Sequence, residues 1–189
     1  MWLYKQYLQI RPTHFYHRDA VLYPSIPKNS STIWRNRVFN NKSNIVNIDN
    51  LPNIEYAFAI IRDPAERLIS GLQEWIKRSR RAETVEQIID NFDHYAEWDV
   101  SSNDLNFYAH IMPQAYFVAE YDFDLIEFNN QLDIANRIEQ RNLSDFIVHA
   151  IRRNIIIQNK TYELVNDNRT KNIIKKYYQQ DIDIWNKTI

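Results

Sequence analysis

The chain has no cysteine and a single glycine, Gly71. Without cysteine there is neither a disulfide framework nor a thiolate metal site, and the absence fits a reducing compartment. With one glycine, a Walker A loop is excluded, because its turn needs glycines that are missing here. Excess charge of one sign is lacking as well. Lys and Arg total 23 against 24 for Asp and Glu, so the net charge of -1 supplies no global attraction to nucleic acid or to an anionic membrane. Neither is expected as a partner, and any anion must be held by local groups. Long apolar runs are missing too. The opening stretch MWLYKQYLQIRPTHFYHRD is interrupted by Lys5, Arg11 and Arg18, so it reads as neither a signal peptide nor a membrane span, and a soluble, cytoplasmic protein is expected. No repeat, low-complexity tract or Pro/Gly/Ser linker divides the sequence, which leaves one domain over residues 1–189 as the simplest expectation.

What is present is enough apolar material for one sizeable core: 44% of the 189 residues are hydrophobic. Residues 20–25, 45–48 and 56–61 are short, apolar, partly β-branched runs bounded by Pro, Asn or Asp and read as buried strands; 116–119 and 125–128 are weaker candidates. Helical spacing recurs over residues 31–40, 64–81, 84–92, 131–140, 143–157 and 170–186. Strands alternating with helices in the first half predict an α/β class with a small central parallel sheet flanked by helices, a P-loop-like three-layer fold whose C-terminal half is rich in helix.

Two strand-to-helix junctions carry the chemistry. In the second, YAFAII runs directly into RDPAERLISG. Asp63 is placed as N-cap, Pro64 suits the first helical position, and Glu66 is spaced to complete a capping box. Arg62 then sits beside the free N–H groups of a helix start, with Ser70 about two turns in, a setting for an anion. In the first, AVLYPSI delivers Pro27 and Lys28 to a turn where Ser30, Ser31 and Thr32 offer hydroxyls and backbone N–H groups. Each motif has a plainer reading: Arg62 and Asp63 can pair with one another, and Lys28 before three hydroxyl residues can be an ordinary solvated cap. Two such junctions in adjacent crossovers suggest one ligand with two separated phosphates, because ligands of such sheets collect at the carboxyl ends of strands.

These residues bear a family resemblance. IPKNSST is similar to the 5'-phosphosulfate segment of PAPS-dependent sulfotransferases, and IIRDPAERLISG resembles their 3'-phosphate segment in its carbohydrate-sulfotransferase form. HIMPQAYFVAEYDFDLI is similar to the H-x-x-P-Q segment that precedes a strand in this family, and YYQQDIDIW to its C-terminal Tyr-x-x-Asp helix. The resemblance spans residues 20–186 in order, with Asn29 and Ser30 standing where small or glycine residues are usual. It implies PAPS as cofactor, adenosine 3',5'-bisphosphate as product, and sulfuryl transfer to an acceptor hydroxyl or amine. Lys28 would contact the 5'-phosphate and the bridging oxygen, Ser30, Ser31 and Thr32 would line the turn, and Arg62 and Ser70 would hold the 3'-phosphate. Arg67 fits the family pattern and equally suits a structural ion pair. Golgi-type members from animals carry a membrane anchor; this chain shows none, which points to a bacterial or viral version.

The proton acceptor is less legible. In related enzymes a His or Glu near the end of the second strand takes the proton; NIVNIDNLP places Asp49 at that end, and the resemblance makes it the first candidate, on the condition that burial raises its pKa. His110 is the second, on its ordinary pKa, with Glu74 and His94 behind it. Each of these also suits a solvated loop or a structural role. The acceptor is expected to be a saccharide or a small molecule. The cations of KRSRR, residues 77–81, could attract an acidic saccharide or simply complement the end of their helix.

Overall fold

Side chains along Tyr56–Ile61 alternate between two buried sides, and that alternation sets the architecture. In the computed structural model the described residues are 15–39, 45–46, 50–51, 53–96, 110–119, 121–143, 148 and 163–189. The strands are β1 (Phe15–Arg18), β2 (Val21–Pro24), β3 (Ile45–Val46), β4 (Tyr56–Ile61) and β5 (Asp124–Glu127). They form one sheet in the order β3-β1-β2-β4-β5. β2, β4 and β5 pair in parallel, while β1 pairs antiparallel with both β2 and β3. Reversal at β1 therefore leaves β3 running in the same direction as β2, β4 and β5. The sheet is mixed, not wholly parallel as expected, because β1 and β2 form a tight hairpin. Its two turn residues, Asp19 and Ala20, both adopt positive φ, 48° and 61°, the backbone that a two-residue hairpin needs.

Helices cover both faces. The helices are α1 (Ser31–Ile33, continued by a π-helical turn, Trp34–Val38), α2 (Pro64–Ser79), α3 (Val85–Asp90), α4 (Phe92–Ala96), α5 (Ala115–Val118), α6 (Leu132–Gln140), α7 (Asn168–Tyr177) and α8 (Gln179–Trp185). On one side Tyr23, Phe58 and Ile60 pack with Trp34 and Val38 and with Ile134 and Ile138 of α6. On the other, Leu22, Ala59 and Ile61 pack with Leu68, Leu72 and Trp75 of α2 and Ile173 and Ile174 of α7. A three-layer α/β arrangement with a helix-rich C-terminal half results.

Two expected elements differ, and a third lies almost wholly outside the described residues. Residues 116–119, expected as a strand, lie largely in α5; a run of four apolar residues does not distinguish the two states, and the backbone N–H of Ala115 at its start is taken by Asp181. The helix expected over 170–186 breaks at Tyr178, whose φ of -123° and ψ of 28° turn the chain between α7 and α8. Of the helix expected over 143–157, residues 144–147 and 149–157 lie outside the described residues. No helix among the described residues is long and apolar enough to cross a membrane.

Candidate functional site

Parallel pairing puts the carboxyl ends of β2, β4 and β5 on one edge, so the segments leaving them meet there. The β2 exit is the turn Pro27 to Ser30. Lys28 and Ser30 adopt left-handed φ values of 70° and 58° without being glycine. Such geometry at a non-glycine residue costs about 1 kcal/mol each, and turns of alternating hand make a concavity of backbone N–H groups suited to an anion. A glycine-free sequence thus reaches the turn shape that glycine normally supplies. Ser30 is the N-cap residue of α1; its carbonyl accepts from Ile33 and Trp34, while the first-turn N–H groups at Ser31 and Thr32 have no intrahelical acceptor.

The turn is braced from the other two exits. Asn29 is fully buried, and its Nδ2 donates to the Ile60 carbonyl at 2.6 Å and to Gln114 Oε1 at 2.8 Å. Asn29 is therefore a clamp between the turn and β4. From the β5 exit, Gln131 Nε2 donates to Ser30 Oγ at 3.3 Å, and its Oε1 accepts from Trp34 Nε1 at 2.8 Å.

Arg62, at the β4 exit, is 6% exposed, and its Nη1 donates to the Lys28 carbonyl at 3.3 Å. Its Nε pairs with Glu66 at 3.2 Å, and its guanidinium lies 4.8 Å from the centre of the Phe128 ring. Glu66 thus turns to Arg62 and does not close the expected capping box; Asp63 alone caps α2, accepting from the Glu66 N–H at 2.9 Å. The exchange is reasonable because a charge-assisted pair outweighs a second cap bond. Arg67 is fully buried and donates to the carbonyls of Pro27 and Met112, at 3.1 and 2.5 Å, a structural tie between the turn and the H-x-x-P-Q segment.

That segment is held in turn by the C-terminal helices. Tyr178 O–H donates to the Ile111 carbonyl, and Asp181 accepts the backbone N–H groups of Gln114 and Ala115, both at 2.9 Å. His110 is 8% exposed, and its carbonyl would lie 2.3 Å from a Cβ at Gly71, so the sole glycine permits this segment to rest on α2. Ser70, one residue earlier, is buried. Asp49 lies outside the described residues. Of the lower-ranked acids and bases, Glu74 stands at 4.0 Å from Lys28 Nζ, whereas His94 is exposed on α4 with its ring against Tyr95.

Burial holds the Lys28 ammonium below the ordinary lysine range, against the opposing pull of Glu74 and with the help of the Arg62, Arg78 and Arg67 charges. An anion at the turn would reverse that penalty. Two of the four KRSRR cations are spent internally: Arg78 pairs with Glu74, and Arg81 pairs with Glu83 and lies over Trp75. Lys77 and Arg80 remain exposed. Among the described residues, no group of three or more His, Asp or Glu is placed to hold a metal ion.

Comparison with known families, curated proteins and solved structures gave no match. The residues that sequence reasoning missed are Asn29, Gln114 and Gln131, amides whose role depends on partners 31 to 101 positions away. The H-x-x-P-Q segment contains Gln114, but no local feature marks its hub position.

Asp181 supplies a pH test of this bracing. Burial pushes its carboxyl up to about 6, outweighing the Arg67 charge and the two N–H donors. Between its unfolded value near 3.8 and that figure the folded state binds more protons, so this group's contribution to stability grows as pH falls from about 6 to about 4. The rise is on the order of 2 to 3 kcal/mol. Urea unfolding of wild type and Asp181→Asn across that range should show wild type gaining about 2 to 3 kcal/mol on the variant as pH falls; parallel curves would mean that Asp181 is not buried as an acid.

Proposed function

We propose that the chain is a PAPS-dependent sulfotransferase acting on an acceptor hydroxyl or amine of a saccharide or small molecule. The observation that carries the reading is the meeting of its two anion junctions: Arg62 Nη1 reaches the Lys28 carbonyl at 3.3 Å, and the Arg62 charge acts on the Lys28 ammonium, so the two cations stand close together. The contacts of the Arg62 guanidinium among the described residues use Nε, Nη1 and the ring face, which leaves Nη2 for a ligand. Further support comes from the H-x-x-P-Q and Tyr-x-x-Asp segments. Each resembles the family by its own residues, and the two bind one another through Tyr178 and Asp181.

Bound PAPS would supply an activated sulfuryl group. Lys28 would neutralise the charge that develops on the bridging oxygen as its bond to sulfur breaks. The turn N–H groups, Ser31 and Thr32 would orient the 5'-phosphate, and Arg62 and Ser70 the 3'-phosphate, aligning donor and acceptor. Asp49 and His110 remain the proposed proton acceptors. Because Lys28 and Arg62 each have an internal carboxylate partner, Glu74 and Glu66, a second reading is a sulfotransferase fold that binds a nucleotide or partner without transfer.

Titration calorimetry with adenosine 3',5'-bisphosphate tests the site. Wild type should bind it in preference to 5'-AMP, without magnesium. Arg62→Ala should weaken it about 30-fold, the loss of a charge-assisted contact worth about 2 kcal/mol, while 5'-AMP changes little. Arg62→Lys, which keeps the charge, separates binding from folding. Preference for ATP with magnesium would instead favour a small-molecule kinase, and absence of any nucleotide binding an interaction protein.

A further inference from the structure

Lys28 is paired with Glu74, a residue that the proposed cofactor site does not use. Glu74 Oε2 lies 4.0 Å from Lys28 Nζ, and the two side chains are 24% and 26% exposed, so water and small anions reach them. The Lys28 backbone is fixed by its left-handed φ and by Arg62 at its carbonyl, which leaves the four-carbon stem as the part free to swing. Glu74 has a second cation to fall back on. Its other oxygen takes Arg78 Nε at 2.5 Å from the next turn of α2, and the His110 side chain is close enough for its charge to act on the same carboxylate. Glu74 thus stands between two cations, Lys28 across the turn and Arg78 on its own helix.

We infer that Glu74 is the resident counter-ion of the turn, pairing with Lys28 until a phosphate displaces it, and that this exchange sets the affinity and charge selectivity of the site. The inference rests on the reading that Lys28 meets a 5'-phosphate. An incoming dianion must break the Lys28 pair and then sit beside the Glu74 carboxylate, now held by Arg78. Both effects oppose binding, and both act through charge. They disfavour singly charged or weakly charged anions least able to compete for Lys28, and leave the site to ligands that also engage Arg62.

The test is a double-mutant cycle read by calorimetry with two probes, adenosine 3',5'-bisphosphate and inorganic pyrophosphate. Glu74→Gln keeps the size and one acceptor oxygen, so it should fold as wild type, which thermal unfolding checks. It should bind both probes about tenfold more tightly, as expected for removing one charge at this range near a surface. In a Lys28→Gln background the gain should shrink to about threefold, since the repulsion by the carboxylate remains but there is no pair left to break. Bisphosphate binding that is the same in wild type and Glu74→Gln would overturn the inference and leave the cofactor site standing. An equal gain with and without Lys28 would also overturn it, by showing distant repulsion only. A Lys28-dependent gain for pyrophosphate, with no preference for the bisphosphate over 5'-AMP, would uphold the inference and remove the sulfotransferase reading. Failure of both probes to bind any of the proteins would overturn both.

Discussion

Gly71→Ala is expected to destabilise the protein by about 2 kcal/mol. Two effects compete at this position. Alanine is the better helix former, by about 1 kcal/mol in a helix interior. Against that, its Cβ would stand 2.3 Å from the His110 carbonyl oxygen and 3.0 Å from the carbonyl carbon, both backbone atoms that no rotamer change can move aside. The segment from His110 would have to lift off α2, an overpacking cost of about 3 kcal/mol at the upper end of the usual range. Sterics win. The displaced segment also carries Met112, whose carbonyl receives Arg67, and Gln114, so the turn at Lys28 loses two of its braces at once. Denaturant unfolding should show the midpoint falling with little change in slope, and bisphosphate affinity should fall with it. Gln73→Ala, on the exposed face of the same helix, should leave both unchanged. Wild-type stability in Gly71→Ala would show that the close approach to His110 is not there.

The same helix shows how unevenly the structure could be read from the sequence. Asp63, Pro64 and the spacing of Leu68, Leu72 and Trp75 announce α2 because caps and a 3.6-residue period are local signals. β4 is equally legible as an apolar run ending at Arg62. β1 leaves no such signal: Phe15–Arg18 ends in two half-buried polar residues, and its turn uses Asp19 and Ala20 where Asn-Gly would mark a hairpin. At the site, Lys28 and Arg62 were legible as charges at strand ends, but their convergence depends on the parallel register of β2 and β4. Asn29 looked like a departure from a glycine-rich pattern, and only its bond to the Ile60 carbonyl shows why an amide stands there. Glu74 ranked low as a candidate because nothing local connects it to Lys28, 46 positions earlier; the link is made by the packing of α2 under the turn.

Gln114→Leu is expected to have the largest effect, about 4 kcal/mol of lost stability. Gln114 is fully buried, and its side chain serves three groups. Oε1 accepts from Asn29 Nδ2 at 2.8 Å and from the Arg62 N–H at 3.1 Å, and Nε2 donates to the Arg62 carbonyl at 2.6 Å. Leucine matches the volume but leaves both backbone groups of Arg62 unpaired in the interior, at about 1 to 3 kcal/mol each. Asn29 keeps its bond to Ile60 and so contributes less to the loss. Gln114→Glu separates the hydrogen-bond pattern from mere size. As a neutral acid it repeats the amide: one oxygen accepts from Asn29 and Arg62, and the hydroxyl donates to the Arg62 carbonyl. Ionised, its second oxygen would face that carbonyl with no proton between them, at a fully buried position. The folded-state pKa must therefore be raised above the unfolded value of about 4.3. Stability relative to wild type is then fully present below that value and is lost as pH rises through the folded one. Urea unfolding at about pH 4 and pH 7, each referred to wild type at the same pH so that Asp181 cancels, should show Gln114→Glu close to wild type in acid and about 3 kcal/mol weaker at neutrality. A deficit that does not change with pH would mean that Gln114 does not bridge both groups of Arg62, and with it would go the mechanism by which Asn29, Arg62 and the turn at Lys28 are held in one arrangement.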